Sequence, residues 1–515
     1  MLPEEDMSKE ELLAKIAEQA EEIKQLRDKK FGLVWEDKPD AQVLRASSET
    51  PVLREDRSKA IITDETASNH VLINGDNYHA LTALQASHTG KIDVIYIDPP
   101  YNTGSKDFIY NDSYLDKEDT YRHSKWLSFM EKRLVLAKEL LTDTGIIFVS
   151  IDDNEQAHLK LLMDEIFESS NFLSTMIWDK ANTKNDSLNF QRNHEYVHVY
   201  GKTSKTKVTR YVEEERKVIF DGVGYYIREG LTMGGGYGGT LNGRPNLGYT
   251  LYYNPETGDI KPVQDQNLEL ARASNDEEVV YSTRQDLVEL GYVPVRPRKN
   301  GTKLGCWKWG FEKMQTDLYK VFFTEAKGSY TAAYKRYQDA NKVVQKGTDF
   351  WLTDTVKRNV RSVINFSNGE GIRMLKNMFG TKPFDHPKNL DMIKYFIEIT
   401  DNKEAVVLDF FAGSGTTAHA VAALNKEDGG TRQCILVTDG GKTETTGDSG
   451  KNVKDETVNI AEEVTYERVR RALTGENWAQ KKKPEPLGGN LRYFKIELVP
   501  THEISDNATI SDELP

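Results

Sequence analysis

Ile92–Gly104, IDVIYIDPPYNTG, decides the fold when set beside Ala405–Thr417, AVVLDFFAGSGTT. Each opens with a run of apolar, mostly β-branched residues and closes in a turn that follows an acid. Such runs, bounded by Pro or Gly, read as strands buried on both faces. The same rhythm surrounds them. VLING (71–75) runs into Asp76 and a helical NYHALTAL, and Trp126–Leu141 is an amphipathic helix. GIIFVSID (145–152) is a further buried strand, and Leu159–Phe167 is helical again. Past residue 380, HPKNLDMIKYFIEI reads as a helix, AVVLDFFAGSGTTAHAVAALN as strand, loop and helix, and CILVTD (434–439) as a strand. Buried strands alternating with helices predict a parallel α/β sheet covered on both faces.

Between about Lys202 and Gly380 this rhythm stops. The segment holds GGGYGG (234–239) and the Pro/Gly-rich LNGRPNLGYTLYYNPETGDI (241–260). It is also basic. Gly291–Lys313 carries six Lys/Arg (Arg296, Arg298, Lys299, Lys303, Lys308, Lys313) against the single acid Glu312, and Lys327–Lys346 carries five against Asp339. One Rossmann-like sheet is therefore expected from two segments, with a foreign domain inserted between them. The divisions are an N-terminal helical arm (1–59), a catalytic half (60–200), the insert (201–370), a cofactor-binding half (371–475) and a tail (476–515). Within the arm, residues 8–30 read as a helix. Ser8 and Glu11 match a capping box, and Leu13, Ile16, Ala20 and Ile23 form a narrow stripe. A short coiled coil and a solvated helix fit that stripe equally.

The 515 residues suit two or three domains, and the net charge of −13 argues against a uniformly basic coat for nucleic acid. Binding to DNA remains open to it through the basic middle segment. No run of about 18 apolar residues occurs, so no membrane span is expected. The opening MLPEEDMSKEELL lacks the apolar core of a signal peptide. Cys306 and Cys434 cannot build a disulfide framework and read as reduced thiols in a cytoplasmic protein.

Two loops carry chemistry. Asp98-Pro99-Pro100-Tyr101 follows a strand at the end of the sheet where ligands bind. An aromatic amine is a poor nucleophile because its lone pair is delocalised into the ring. A carboxylate and a neighbouring carbonyl, each accepting one N–H, concentrate electron density on that nitrogen. The two prolines stiffen the turn and remove competing donors, and Tyr101 offers a ring for stacking. A plain strand-end turn with a buried acid is the bland alternative. The second loop is Phe411-Ala412-Gly413-Ser414-Gly415-Thr416-Thr417. Small residues admit a ligand close to the backbone, and a helix N-terminus follows. The loop lacks GxGxxG spacing and the lysine of a phosphate loop, so a zwitterionic amino-acid moiety suits it better than pyrophosphate.

Together these loops resemble the amino-methyltransferases of DNA, which pair (D/N/S)PP(Y/F/W) with FxGxG. The catalytic motif comes first here, with a long insert before the cofactor motif. In that family this order marks the circularly permuted β class, a Rossmann-like fold with an inserted target-recognition domain that uses S-adenosylmethionine. Aspartate in the first position implies N6 of adenine, where serine is usual for N4 of cytosine. DPPYNTG, GIIFVSIDDNE (145–155), His194-Glu195-Tyr196, GRPNLGYTLYYNPETG, FDHPKNLDMI, IAEEVTYERVRR, GGNLRYFK and the early KKFGLVWEDKP resemble the Mod subunits of Type III restriction–modification systems.

The resemblance implies a site-specific, adenine-specific DNA methyltransferase that flips its target base out of duplex DNA. It also implies a homodimer, and either a restriction (Res) helicase–nuclease subunit as a further partner or a free-standing methyltransferase. Asp98 and Pro99 become acceptors for the amine and Tyr101 its stacking partner. Phe411, Gly413 and Gly415 form the cofactor loop, with Asp409 before it. Asp76 lies beside the cofactor adenine, Pro387 and Lys388 approach its methionine end, and Asp439 grips the ribose. Where the family often has Pro-Lys-Pro, this chain has Asn389. The basic residues Arg296, Arg298, Lys299, Lys303 and Lys308 are the expected DNA contacts.

Two rivals stay in view: a methyltransferase acting on RNA or a protein amide, and a catalytically silent DNA-binding subunit. The basic aromatic insert favours DNA, and the intact Asp98, Tyr101, Gly413 and Gly415 favour catalysis. His123, His158 and His419 read as surface or packing residues, and no Cys/His cluster has metal spacing. Trp307 and Trp309 suit either nucleic-acid contact or a domain core.

Overall fold

The computed structural model describes residues 35–46, 48–110, 113–116, 119–180, 190, 192–234, 237–440, 442–446, 452–481 and 483–501. The helix expected over 8–30 lies outside them. The described chain forms two compact units. One contains the residues up to Arg210 and from Arg358 onward, and the other is Tyr211–Lys357. The second unit falls inside the segment expected as the insert.

The first unit is built on a ten-stranded sheet. In chain order its strands are β1 (Glu49–Glu55), β2 (Asn69–Asn74), β3 (Ile92–Ile97), β4 (Leu141–Ile151), β5 (Phe172–Asp179), β6 (His194–Gly201), β7 (Val363–Asn365), β8 (Val406–Asp409), β9 (Gln433–Thr438) and β10 (Asn490–Pro500). Their spatial order is β1-β10-β2-β9-β8-β3-β4-β6-β5-β7. The six strands from β10 to β4 are mutually parallel, while β1 and β6 run antiparallel to their neighbours.

Helices cover both faces: α1 (Asn77–His88), α2 (Arg122–Leu140), α3 (Gln156–Phe167), α4 (Gly369–Phe379), α5 (Leu390–Glu398), α6 (Thr416–Asp428) and α7 (Glu467–Thr474). Alternate residues of β3 serve different cores. Val94 and Tyr96 join Phe396 and Val421 on one face, and Ile95 and Ile97 join Leu84, Met130 and Leu159 on the other. That double burial is why these strands read as continuous apolar runs.

Two strands depart from the expected divisions. The tail contributes β10, which pairs in parallel with β2 from Asn69↔Asn490 to Asn74↔Lys495. The arm contributes β1, which closes the edge of β10. Without them β2 would expose a row of unpaired backbone groups. Cys306 and Cys434 are free and buried. Among the described residues, no helix is long and apolar enough to cross a membrane.

The chain path places the site. From β3 it crosses through α2 to β4 on one side, and from β8 through α6 to β9 on the other. Because β3 and β8 are parallel neighbours, with Val94 opposite Val407 and Ile95 opposite Leu408, the order reverses between them. Ligands of open α/β sheets sit in the crevice at such a switch point.

The Tyr211–Lys357 unit has its own core. Leu231, Tyr249, Leu251, Trp307, Trp309 and Met314 are buried together. Trp307 donates its indole N–H to the Tyr249 carbonyl at 2.7 Å. Both tryptophans are therefore core residues of this unit, and the flanking lysines are what faces outward.

Candidate active site

Asp98 directly follows β3, and a connected set of charges gathers on it. Lys388 Nζ lies 3.0 Å from Asp98 Oδ1 and 3.2 Å from Glu195 Oε2, and donates to the Tyr101 hydroxyl at 2.7 Å. That hydroxyl stands 2.8 Å from Asp98 Oδ1 and 3.0 Å from Glu195 Oε2. Lys180 pairs with the other Glu195 oxygen. The Lys388 ammonium also sits 4.9 Å from the centre of the Tyr101 ring and 5.4 Å from that of Trp178. Pro99 is buried, and Trp126 Nε1 donates to the Pro100 carbonyl at 2.7 Å, which locks the turn.

The electrostatics follow from this crowding. Burial raises the Asp98 carboxyl, and Lys388 pulls it back without cancelling the rise. Burial works against the Lys388 charge, but the Asp98 and Glu195 carboxylates outweigh it and hold the amine above its ordinary value. Burial also pushes Glu195 up, and the two lysines overcome it, leaving that carboxyl low. Tyr101 is held well above the usual phenol range by burial and the two acids, so it stays protonated.

The glycine loop follows β8. Gly413 and Gly415 adopt φ of 49° and 76°, the left-handed region. A Cβ on Gly413 would stand 3.1 Å from the Phe384 ring, and one on Gly415 the same distance from Thr465. Asp409 closes the loop from beneath. It accepts the Phe411 N–H at 3.1 Å and the Thr417 hydroxyl at 2.5 Å. Burial pushes its carboxyl up to about 7 against those two hydrogen bonds. Ala412 is buried and its N–H donates to the Val437 carbonyl. Phe411 rests 6.0 Å from Phe129. Ser414 and Thr416 turn their hydroxyls to the buried Arg468, 2.9 and 2.7 Å from its Nη1. Any ligand of this loop therefore meets backbone at those two positions.

The remaining expected residues scatter along the same sheet edge. Asp76 caps α1, accepting the N–H groups of Tyr78 and His79, and its second oxygen lies 3.5 Å from the buried Arg133. Asp439, just past β9, is exposed. Pro387 is buried beside Lys388. Asn389, in place of the second proline, caps α5 by accepting the N–H groups of Asp391 and Met392. His419 is buried in α6, and burial pushes its imidazole down to about 3.

In the other unit, Arg298, Lys299, Lys303 and Lys308 are exposed. Arg296 is not a free surface cation. Its guanidinium is held by Glu277 at 2.9 Å and Thr283 at 2.7 Å, over the Tyr281 ring. Glu195, Lys180, Trp178 and Arg468 were not singled out by their chemistry in the sequence. Glu195 lies in the His-Glu-Tyr triplet and Arg468 in the IAEEVTYERVRR stretch, so family motifs covered those two, and nothing marked Lys180 or Trp178.

The sheet and its two loops make an α/β methyltransferase fold. The chain belongs to the DNA methylase family, which matches residues 92–439. It is 34% identical over 388 residues to the Type II methyltransferase M.KpnI of Klebsiella pneumoniae, covering 74% of this chain and 83% of that one. It is 31% identical over 451 residues to the Type III restriction-modification enzyme EcoPI Mod subunit of Escherichia phage P1, covering 80% and 64%. The StyLTI Mod subunit of Salmonella typhimurium is 34% identical over 420 residues, covering 73% and 53%. The chain thus spans between about half and two thirds of these two Mod subunits.

Proposed function

We propose that this DNA methylase transfers a methyl group from S-adenosylmethionine to N6 of an adenine flipped out of duplex DNA. The observation that carries this reading is the Asp98 carboxylate, fixed at the switch point one strand from the glycine loop. The residues present fit the cofactor. The loop of small residues holds its left-handed turns at Gly413 and Gly415, where a side chain would crowd Phe384 or Thr465, and acids stand at the ends of β2, β8 and β9. When bound, the cofactor supplies an electrophilic methyl carbon on a cationic sulfur.

The chain's own residues do the rest. Asp98 accepts one N–H of the target amine, and the Pro99 carbonyl accepts the other. Lys388 keeps Asp98 ionised, and Glu195 shares that lysine, so the ammonium does not quench Asp98 as an acceptor. Tyr101, its hydroxyl tethered, presents a ring for base stacking. Rate comes from orientation and fixed acceptors rather than a covalent intermediate.

On this reading the chain has the permuted motif order, and Tyr211–Lys357 is the target-recognition domain. Its relatives support a role in restriction–modification. The Mod likeness favours a homodimer with a Res subunit, while the likeness to a Type II methyltransferase favours a free-standing enzyme. Light scattering and co-purification with a Res subunit separate those two. The central test is methyl transfer from labelled cofactor to DNA, followed by nucleoside mass spectrometry. N6-methyladenine is the expected product. N4-methylcytosine, or no product, overturns the reading.

A further inference from the structure

Directly beneath the catalytic turn lies a second cluster with a different chemistry. His123 sits in the first turn of α2, Glu155 precedes α3, and His158 is in the first turn of α3. One ligand atom from each lies within 4.8 Å of the others. Glu155 is fully buried, whereas the side chains of His123 and His158 are 37% and 36% exposed, so an ion has a path from solvent. Glu155 Oε1 takes His123 Nδ1 at 2.6 Å and Asn102 Nδ2 at 2.5 Å.

The second carboxylate oxygen is different. His158 Nδ1 stands 2.9 Å from Oε2 without hydrogen-bond alignment, and both atoms are buried with no hydrogen-bond partner. The Asn102 carbonyl oxygen is a third buried atom in the same condition, on a residue only 1% exposed. Buried acceptors without donors are costly. Ligands bonded at about 2.1 Å to one tetrahedral ion stand about 3.4 Å apart. The two histidine–carboxylate separations here, 2.6 and 2.9 Å, are shorter, and all three ligand atoms lie within 4.8 Å, so side-chain rotation is needed to bring them onto one ion.

The geometry points to a divalent transition-metal site formed by His123, Glu155 and His158. Two imidazoles and a carboxylate suit Zn2+ or a similar borderline ion, whereas Mg2+ and Ca2+ favour oxygen ligands. Loading requires the coordinating His123 nitrogen to be free of its proton. It also requires Arg122, whose Nε donates to His123 Nε2 at 3.2 Å, to turn aside. The role assigned is bracing, not chemistry. Glu155 grips Asn102, which holds the left-handed φ of 57° immediately after Tyr101. An ion fixing Glu155 between α2 and α3 therefore stiffens the catalytic turn. Glu155-x-x-His158 is readable in the sequence, and only the fold adds His123.

The test uses the full chain and reads metal, not methyl transfer. Calorimetry with Zn2+ is expected to give one equivalent, and Co2+ a visible absorption band. His123→Gln and His158→Gln should each lose the band while keeping the wild-type circular dichroism. Saturating Zn2+ should raise the wild-type Tm and slow amide exchange at Tyr101–Gly104, through preferential binding to the folded state. Neither effect should occur in the His123→Gln/His158→Gln double variant. No Co2+ band, or equal binding by the double variant, overturns the site. A band without slower exchange overturns the bracing role.

Discussion

Lys388 is the residue on which the site turns, because it lies between two carboxylates that would otherwise repel each other. Removing it in Lys388→Met leaves Asp98 and Glu195 sharing one half-buried space. Like charges there favour the protonated acid, so Asp98 loses its anion as pH falls earlier than in the wild type. The acid limb of the pH–rate profile should move to higher pH, with methyl transfer at pH 6.5 reduced about tenfold or more. An unmoved limb would separate Lys388 from the ionisation of Asp98.

Asp409 makes an opposite kind of prediction, because its raised pKa is a cost to the fold. The unfolded carboxyl titrates near 4, and the folded one near 7. Between those values the folded protein holds a proton that the unfolded chain lacks. Stability is therefore greatest below about pH 4 and falls as pH rises to about 7, by about 4 kcal/mol in all for this group. Asp409→Asn keeps an acceptor for the Phe411 N–H and removes the titration. Urea midpoints at pH 5 and pH 8 should differ more for the wild type than for the variant. Equal differences would mean that Asp409 titrates normally.

Among the elements, α4 matters for what it leaves room for. A Cβ on Gly371 would meet the Pro387 carbonyl oxygen at 2.2 Å and that of Lys388 at 2.8 Å. Gly371→Ala must push that backbone away and Lys388 with it. We expect a loss of about 1–3 kcal/mol in stability from the overpacking, together with reduced methyl transfer. Unchanged denaturation and activity would show that the Pro387–Lys388 backbone yields freely.

The elements also explain what the sequence could and could not disclose. β3, β4, β8 and β9 are buried on both faces, so their apolar runs were plain, and Asp98 and Gly413 came with them. β1 and β10 carry charged and half-exposed residues, as strands near a sheet edge do, and read as arm and tail. Lys388 was legible only through a family motif, and its partner Tyr101 lies 287 residues away. Glu195 reaches the site from the antiparallel strand β6, a placement no local pattern encodes. Arg296 looked like a surface cation because its partners, Glu277 and Thr283, belong to other turns.

At the scale of the molecule, the question is whether the Tyr211–Lys357 unit can be separated from the chemistry. The chain enters it along Arg210–Phe220 and leaves along Asp349–Arg358, which are neighbouring strands of a six-stranded sheet. Its core is its own, and the first unit's sheet draws no strand from it. Replacing residues 211–357 with a short Gly/Ser linker should therefore leave a folded first unit that still binds S-adenosylmethionine by calorimetry. DNA affinity should collapse. A finer version keeps the unit and replaces Lys299, Lys303 and Lys308 with Ala. Among the described residues, Lys299 lies 3.8 Å from Glu277, and Lys308 lies 4.0 Å from Glu229 and 5.9 Å from the centre of the Tyr334 ring. Such exposed pairs are worth little and leave the charge available to phosphate. If the three lysines lie on the backbone of the duplex, affinity falls alike for every sequence, and the slope of log K against log salt shrinks by roughly 0.9 per lost contact. A deletion that binds DNA as the full chain does, or a triple variant with an unchanged slope, would move DNA recognition out of this unit.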